Sequence, residues 1–470
     1  MDYHYLDTQL YIKKFLLAVC LSILVGQAVA QKGKTNLPIG VFDSGTGGLT
    51  VLNALLTLDF FNNETGVQLP DGKPDFESEY FQYLADQSNM PYGNYAAENK
   101  TDLLKEHILK NIDFLLGEKY AVFEKNTWLN KGKLPVKMVV VACNTATAYA
   151  LPDIKFYLKQ QGQNINVIGV IDAGARAALE WQKKNGTAVI GVFATAGTVA
   201  SNGYPRTIKA FAKEMGMKEP VVVSQGGMGL AESIDRDWAY FVDTLQQTRK
   251  DYKGPSIKNT QYPIDTALLK LYNFNMSNNK ILCELDDKGS CLEMQLNDPS
   301  NYVRYHLVSL LEGMLNNNLR QQMNTLILGC THYPFLKDSI AHVLKELYNS
   351  NENGHYRYRD ILASDVKLID PSVETAKEAY VTLRSLKLKN MVSKRSPQFF
   401  ISVPNTALKE VTLQPDGWFT YQYKYGRFAG AKKEYVKVVP FDNMNISAAT
   451  YARFKEAIPV VYDAIHKATY

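Results

Sequence analysis

The sequence predicts a doubly wound α/β fold with two similar, flavodoxin-like lobes that face each other. Six short apolar runs rich in Val and Ile are typical of buried parallel strands, and segments of helix length separate most of them. Polar residues and two cysteines stand directly after several of these runs. Ligands of such sheets bind beyond the carboxyl ends of the strands, so the pattern predicts a site between the lobes.

The predicted strands are distributed over both lobes. In chain order they are Ile39–Phe42, Val136–Ala142, Val167–Ile171, Ala188–Phe193, Val221–Ser224 and Thr325–Leu328. A helix is predicted over Lys100–Leu116, where apolar residues recur every three or four positions. Near the C-terminus, Phe399–Val403 has the composition of a strand and Ser447–Thr469 that of a closing helix.

The length of the chain predicts two lobes, because 470 residues are too many for one small core. The first lobe is expected over residues 37–165 and is completed by about 345–470. The second lobe is expected over 166–340. Within it, residues 237–302 have weak periodicity and many Asn residues, which is typical of an insertion.

Composition and charge narrow the class of protein. Hydrophobic residues make up 46% of the chain and charged residues 21%, as in folded globular proteins, and the formal net charge is only +5. No run of Lys and Arg is long enough to form a nucleic-acid surface. We therefore expect a small-molecule ligand and no nucleic-acid partner.

The N-terminus has the order of a secretory signal peptide. Lys13 and Lys14 precede the apolar run Phe15–Val25, and the small residues of Ala28–Ala30 follow as a cleavage site. The apolar run is shorter than the roughly 20 residues that a membrane-spanning helix needs. We therefore expect residues 1–30 to be removed on export, the mature protein to be periplasmic, and no stable membrane span to remain.

Four cysteines follow residue 30, and an oxidising compartment permits disulfides between them. Cys283 and Cys291 bracket a short loop with a Lys-Gly turn signal, and they are the natural disulfide pair. Cys143 and Cys330 are then left as thiols, which in an exported protein calls for an explanation.

Cys143 and Cys330 each close an apolar run and precede polar residues that can start a helix. A lone cysteine in that position is more often a small core residue, but here the arrangement occurs twice. The first turn of a helix stabilises a thiolate and offers N–H groups to a carboxylate. One such cysteine suits a covalent nucleophile, whereas two matched ones suit proton removal and return on opposite faces of one carbon.

Other catalytic motifs are absent from the sequence. It contains no His-Glu-x-x-His, no Walker-type loop, no Gly-x-Ser-x-Gly and no Cys-x-x-Cys. In isolation Gly45–Gly48 could be a phosphate-cradling loop. Asp43 and Ser44 directly before it make a site for an ammonium and a carboxylate group equally natural.

Seven motifs occur in a fixed order between residue 39 and about residue 379. They are IGVFDSGTGGLTVL, MPYG, VVACNTATAYAL, VIGVIDAGARAAL, IGVFATAGTVASNGY, LILGCTHYPFL and LIDPSVETAKEA. In this order they resemble the aspartate/glutamate racemase family, and among its branches glutamate racemase. The resemblance implies an enzyme without cofactor or metal that interconverts L- and D-glutamate by two-base proton transfer at Cα, in a site between two α/β lobes.

Carried over position by position, the resemblance also assigns site residues. Cys143 and Cys330 become the two bases, Asp43 supports the first and His332 assists the second. Glu232 falls where the family has a Glu that can orient that histidine. The implied substrate-binding residues are Asp43, Ser44, Tyr92, Gly93, Asn144, Thr145, Thr198, Thr331 and His332.

Two segments depart from the family pattern. The Cys-Pro pair expected before Glu232 is replaced by Ser224–Met228. The residues after Gly93, Asn-Tyr-Ala-Ala, lack the basic and hydroxyl side chains expected there. The second departure leaves the choice between glutamate, aspartate and another amino acid open.

The predicted export conflicts with the usual role of the family. D-Glutamate for peptidoglycan biosynthesis and cell wall biogenesis is needed in the cytoplasm, so an exported racemase would act on extracytoplasmic amino acids or on another substrate. The alternative outside the racemases is an extracytoplasmic solute-binding protein for acidic amino acids. Such a protein also closes two α/β lobes on a small ligand, but it gives no reason for paired cysteines. Either function is compatible with a homodimer, and the sequence leaves the oligomeric state open.

Overall fold

Two large β-sheets, one in each lobe, form the centre of the fold. The structure is a computed structural model that describes residues 34–470 except 125–126, 353, 391–394, 432 and 443–444. The predicted signal peptide, residues 1–30, lies outside the described residues.

The strands and helices alternate along most of the chain. The strands are β1 Ile39–Asp43, β2 Phe81–Ala85, β3 Lys119–Glu124, β4 Thr127–Gly132, β5 Met138–Val141, β6 Asn166–Gly169, β7 Val189–Ala194, β8 Val222–Gly226, β9 Ile281–Leu285, β10 Cys291–Leu296, β11 Met323–Gly329, β12 Asn351–Glu352, β13 His355–Tyr356, β14 Leu362–Ile369, β15 Gln398–Pro404 and β16 Val436–Pro440. The helices are α1 Leu49–Thr57, α2 Gly93–Ala97, α3 Thr101–Leu116, α4 Asn144–Gln160, α5 Val170–Asn185, α6 Ala196–Ala200, α7 Gly203–Glu214, α8 Leu230–Ile234, α9 Leu269–Tyr272, α10 Pro299–Asn316, α11 Lys337–Asn349, α12 Pro371–Ser385, α13 Tyr421–Gly426, α14 Ala448–Ala457 and α15 Pro459–His466.

The sheet of the first lobe has the strand order β16-β15-β2-β1-β5-β6. Its strands pair in parallel except for β15 and β16, which are antiparallel. The sheet of the second lobe has the order β14-β11-β7-β8 and is parallel throughout. The predicted fold of two doubly wound α/β lobes is confirmed.

Burial explains why the central strands form where they do. Every residue of β1, β5 and β7 is buried, as expected of parallel strands that helices cover on both faces. Helices α1 and α12 pack against each other beside the first sheet, and α5 packs against both α7 and α12. The cores of the two lobes therefore meet through α5 and α12.

Two of the long helices begin with the same local signal. Asp298 precedes Pro299 at the start of α10, and Asp370 precedes Pro371 at the start of α12. Each Asp side chain accepts a hydrogen bond from the backbone N–H two residues on, at 2.9 Å. Asp at the cap and Pro in the first turn are a preferred pair of helix-start signals, so these boundaries follow from the sequence.

The chain changes lobes at other points than the sequence predicts. The first sheet includes β6, although 166 was the expected start of the second lobe. The second sheet includes β14, which falls in the segment expected to complete the first lobe. The predicted strand Val167–Ile171 also ends early, because the chain turns into α5 directly after Gly169. A Cβ on Gly169 would lie 2.6 Å from the Thr147 side chain, so this turn packs tightly against α4.

The predicted closing helix is two helices. Ile458, between α14 and α15, has φ −139° and ψ 62°, which is not helical. Pro459 follows it and disfavours a helical conformation at the residue before it. Pro459 is therefore a local cause of the break, although the apolar periodicity of the segment predicts one continuous helix.

The predicted insertion carries a small hairpin of its own. Strands β9 and β10 pair in antiparallel fashion, and a disulfide joins Cys283 to Cys291 with the two Cα atoms 5.7 Å apart. Buried side chains of the insertion, among them Ile281 and Leu296, pack into the core of the second lobe. Across the described part of the chain, no helix combines the length and apolar character needed to cross a bilayer.

Candidate active site

The register of the first sheet brings Asp43 next to Cys143. Strands β1 and β5 pair with Phe42 opposite Val141, and the Ala142 N–H donates to the Phe42 carbonyl at 2.8 Å. Asp43 ends β1, and Cys143 follows β5 at the same edge of the sheet. This is the edge beyond the carboxyl ends of the strands, where such sheets bind their ligands.

Cys143 caps the N-terminus of α4. Its Sγ accepts a hydrogen bond from the Ala146 N–H at 3.4 Å and lies 3.6 Å from Ser44 Oγ. Burial, and then the charge of Asp43, raise the pKa of the Cys143 thiol to about 12, although these hydrogen bonds lower it. At neutral pH and without substrate, Cys143 is therefore a thiol that can donate a proton.

Asp43 is held in place by the loop that follows it. Its Oδ2 accepts hydrogen bonds from the N–H groups of Gly45 and Gly48, each at 3.0 Å. Burial raises the pKa of the Asp43 carboxyl, while these N–H groups and the charge of His332 lower it. A Cβ on Gly48 would lie 2.4 Å from Asp43 Cβ, so the glycine permits the close approach of this loop.

The second sheet repeats the arrangement with Cys330. Strands β7 and β11 pair with Ala194 opposite Gly329, so Thr195 and Cys330 follow at one edge. Cys330 is a free, buried cysteine like Cys143, and its Sγ lies 3.7 Å from His332 Nδ1. Thr195 caps α6: its hydroxyl accepts from the Thr198 N–H at 3.2 Å and lies 3.0 Å from the Thr198 hydroxyl.

His332 forms its ion pair with Asp235. The distance from His332 Nε2 to Asp235 Oδ1 is 3.1 Å. Burial disfavours the charged imidazole, but the neighbouring carboxylate outweighs burial and holds the pKa of His332 well above its usual value. A cationic imidazole therefore lies beside the Cys330 sulfur.

The structure gives Asp235 the contact that the sequence assigned to Glu232. Glu232 lies in α8, and Asp235 follows the end of that helix. Burial raises the pKa of Glu232, while the charge of His332 lowers it, so the two groups interact at longer range. The direct contact with His332 is therefore made by Asp235.

Tyr204 joins the two cysteine sites across the lobes. Its hydroxyl donates to Asn144 Oδ1 at 3.0 Å, directly after Cys143. Its ring packs on the residue before Cys330, since a Cβ on Gly329 would lie 2.8 Å from a ring carbon. Burial, together with the charge of Cys330, raises the pKa of Tyr204 well above its usual value.

Glycines allow the two lobes to approach closely around the site. A Cβ on Gly47 would lie 2.6 Å from the Thr331 hydroxyl. A Cβ on Gly197 would lie 3.2 Å from the Cα of Gly93, which begins α2. The loops predicted to bind substrate thus meet from opposite lobes.

The remaining predicted binding residues have different surroundings. Asn144 and Thr145 are buried in the first turn of α4, where backbone N–H groups suit a carboxylate. The Tyr92 hydroxyl donates to Asp86 Oδ2 at 2.6 Å and accepts from Asn111 at 3.1 Å. Because this hydroxyl is engaged, Tyr92 would contribute its backbone or ring to the site.

Three neighbours of the site were not predicted: Tyr204, Asp235 and Arg453. Tyr204 ends one of the quoted motifs, and Asp235 stands three residues after Glu232, so the sequence contained a signal for both. Arg453 Nη1 lies 2.9 Å from Asp235 Oδ1, and no local pattern indicates this contact. Among the residues that the structure describes, no group of three or more His, Cys, Asp or Glu side chains could hold a metal ion.

Comparison with known proteins indicates the family to which this chain belongs. No family model matches the chain. The curated glutamate racemase of Oceanobacillus iheyensis is 30% identical over 352 residues, which cover 75% of this chain and 81% of that protein. The glutamate racemase of Trichodesmium erythraeum is 27% identical over 383 residues, covering 81% and 92% respectively. Among solved structures, glutamate racemase isoform RacE1 from Bacillus anthracis is 23% identical, with 78% and 89% covered and a TM-score of 0.45.

The identity to the Oceanobacillus iheyensis protein extends over most of both chains. It agrees with the seven motifs and with the two cysteines at matching strand ends, and the predicted resemblance is confirmed. The chain belongs to the glutamate racemase family.

Proposed function

We propose that the protein interconverts L- and D-glutamate by proton transfer at Cα between Cys143 and Cys330. One observation carries the proposal. Two free, buried thiols follow matching strands of two facing sheets, and the hydrogen bond from Tyr204 to Asn144 ties their surroundings together. A covalent nucleophile would need one such thiol, whereas inversion of a carbon centre needs two proton-transfer groups.

The polar groups around the thiols fit an amino acid. The carboxylate of Asp43, with Ser44 beside it, would receive the substrate ammonium group. The N-terminus of α4 and the hydroxyls of Thr198 and Thr331 would receive carboxylates. Burial and then the Asp43 charge raise the pKa of the Cys143 thiol, and an ammonium group beside Asp43 would offset the second of these.

The proton transfers balance without an external reagent. In one direction the Cys330 thiolate, next to the His332 cation, removes the Cα proton and becomes a thiol. The Cys143 thiol returns a proton on the opposite face and becomes a thiolate. The reverse reaction exchanges the two roles, and general acid–base catalysis of this kind contributes about 10²–10⁴-fold per group.

We also propose that the protein acts after export. The support is the order Lys13-Lys14, Phe15–Val25 and Ala28–Ala30 in the sequence. N-terminal sequencing of the native protein should begin near Gln31. A native protein that retains Met1 and fractionates with the cytosol would contradict this part.

Chiral chromatography tests the activity and its substrate. Purified protein incubated separately with L-glutamate, L-aspartate and L-alanine should produce the D isomer from L-glutamate fastest, with no added cofactor. Faster conversion of L-aspartate would transfer the assignment to aspartate. Saturable binding of L-glutamate with no D isomer formed would contradict a racemase and favour a solute-binding protein.

A further inference from the structure

Arg453 extends from the first lobe to the ion pair of His332 with Asp235 in the second lobe. It lies on α14, which follows the last strand of the first sheet. Its Nη1 lies 2.9 Å from Asp235 Oδ1 and donates to the Asp235 backbone carbonyl at 3.2 Å. The same Oδ1 lies 3.1 Å from His332 Nε2, so one carboxylate oxygen faces both cations.

The position of Arg453 is fixed by the packing of its helix. Ser447 caps α14 by accepting a hydrogen bond from the Thr450 N–H at 3.2 Å. Tyr451 and Phe454, on either side of Arg453 in the sequence, are buried in the core of the first lobe. The arginine itself is partly exposed, with 26% of its side chain accessible to solvent, and it therefore reaches Asp235 from an anchored backbone.

The geometry around His332 makes this contact relevant to Cys330. Because Nε2 is directed to Asp235, the other ring nitrogen, Nδ1, faces the Cys330 sulfur at 3.7 Å. A histidine with one nitrogen committed to a carboxylate can exchange a proton only through the other. Whatever orients Asp235 thus also orients the nitrogen that serves the thiol.

Other charged groups surround the pair. The charge of His332 acts on the carboxyls of Asp43 and Glu232. A cavity of about 460 Å³ borders His332, and its charged lining residues are Asp235, Arg236, Asp298, Arg453 and Glu456. Arg236 is paired with Asp243 at 3.0 Å and Asp298 with Lys280 at 3.3 Å. Of the two arginines that line this cavity, Arg453 is therefore the one that pairs with Asp235.

We propose that Arg453 is a positioning residue for Cys330, acting through Asp235 and His332 across the interface of the two lobes. The inference builds on the proposed racemase function. By sharing Asp235, Arg453 holds the carboxylate in place and takes up part of its negative charge. Without Arg453, the negative charge of Asp235 would no longer be shared with a second cation. It would then favour the protonated forms of His332 and Cys330, so that a higher pH would be needed to deprotonate them.

The test compares three variants in a Cys143→Ala background, where Cys330 is the thiol of interest. Arg453→Gln removes the charge, Arg453→Lys keeps it on a different head group, and Arg236→Gln removes a neighbouring cation that pairs elsewhere. Iodoacetamide labelling of the Cys330 peptide is followed by mass spectrometry from pH 5 to 10. For Arg453→Gln the labelling midpoint should rise by roughly half a pH unit, the size expected of one partly screened charge.

The two other variants separate position from bulk charge. Arg453→Lys should shift the midpoint in the same direction by a smaller amount, and Arg236→Gln should leave it unchanged. With Cys143 restored, Arg453→Gln should lower kcat several-fold with little change in KM, and its pH profile should move in the same direction. A lysine variant serves as the test if the glutamine variant does not fold.

An unchanged labelling midpoint in a folded Arg453 variant would overturn the inference. An equal shift in Arg236→Gln would do the same, since it would indicate a general charge effect. Labelling does not depend on turnover. If the parent protein fails to racemise glutamate, the proposed function fails, while the midpoints still decide whether Arg453 acts on Cys330.

Discussion

Tyr204 donates a hydrogen bond to Asn144 at 3.0 Å from one lobe to the other, and both residues are buried. Asn144 stands next to Cys143, and the Tyr204 ring packs against the residue before Cys330. A single tyrosine therefore contacts the neighbours of two thiols that belong to different sheets. In the proposed mechanism a substrate carbon lies between those thiols, so this bond should matter for turnover.

Tyr204→Phe should test that bond while keeping the packing of the ring. Loss of the hydroxyl leaves the Asn144 carbonyl without its partner, which costs about 1–3 kcal/mol in a buried site. We expect kcat/KM for glutamate to fall at least several-fold, with a folded protein by circular dichroism. Tyr305→Phe is the matched control, because its hydroxyl bonds to Pro263 within the insertion. Equal activity of the two variants would show that the inter-lobe bond is dispensable.

Asp43→Asn should separate the reactivity of Cys143 from catalysis. The Asp43 charge contributes to the raised pKa of the Cys143 thiol, so a neutral amide should make Cys143 label faster with iodoacetamide at pH 8. Racemisation should nevertheless fall by about 10²-fold or more, because the proposed mechanism depends on the Asp43 carboxylate. Asp153→Asn is the control, because Asp153 lies on α4, the helix that Cys143 caps, but is paired with Lys105 at the surface. Slower labelling in Asp43→Asn would contradict the electrostatic account of this site.

The ion pair of His332 with Asp235 predicts a pH dependence of stability. The folded-state pKa of His332 is raised, so its contribution is fully present below the usual histidine value of about 6.5. It is lost as the pH rises through the higher folded-state value. The difference in melting temperature between the parent and His332→Gln should therefore be largest near pH 5.5 and shrink in alkaline buffer. A difference that grows with pH would show that the histidine is neutral in the folded protein.

Most of the central strands could be predicted because their signals are local, although β2, which lies inside the first sheet and is fully buried, is absent from the predicted strands. Buried parallel strands such as β5 and β7 are continuous apolar runs, and their predicted ends agree with the structure to within a few residues. Strand β14 was missed because it lies at the edge of its sheet and most of its residues are not buried. Its sequence therefore lacks the apolar run on which the prediction relied.

Some contacts of the site could likewise be predicted from the sequence, and others could not. Asp43 and Cys143 could be placed together because both end strands of one sheet. The contact of Arg453 with Asp235 spans 218 positions and depends on how α14 docks on the other lobe. The exchange of Glu232 for Asp235 as the partner of His332 depends on where α8 ends. Such contacts are set by tertiary packing, on which strand and helix periodicity gives no information.

Deuterium exchange at Cα tests the two-thiol mechanism most directly. The parent protein, Cys143→Ser and Cys330→Ser are each incubated with L-glutamate and with D-glutamate in deuterated water, and the Cα proton is followed by NMR. The parent should lose the Cα proton from both isomers and form the opposite isomer. Each serine variant should lose racemisation by several orders of magnitude, since a serine hydroxyl is far less acidic than a thiol. A single variant that racemises glutamate at near-normal rates in both directions would contradict the account.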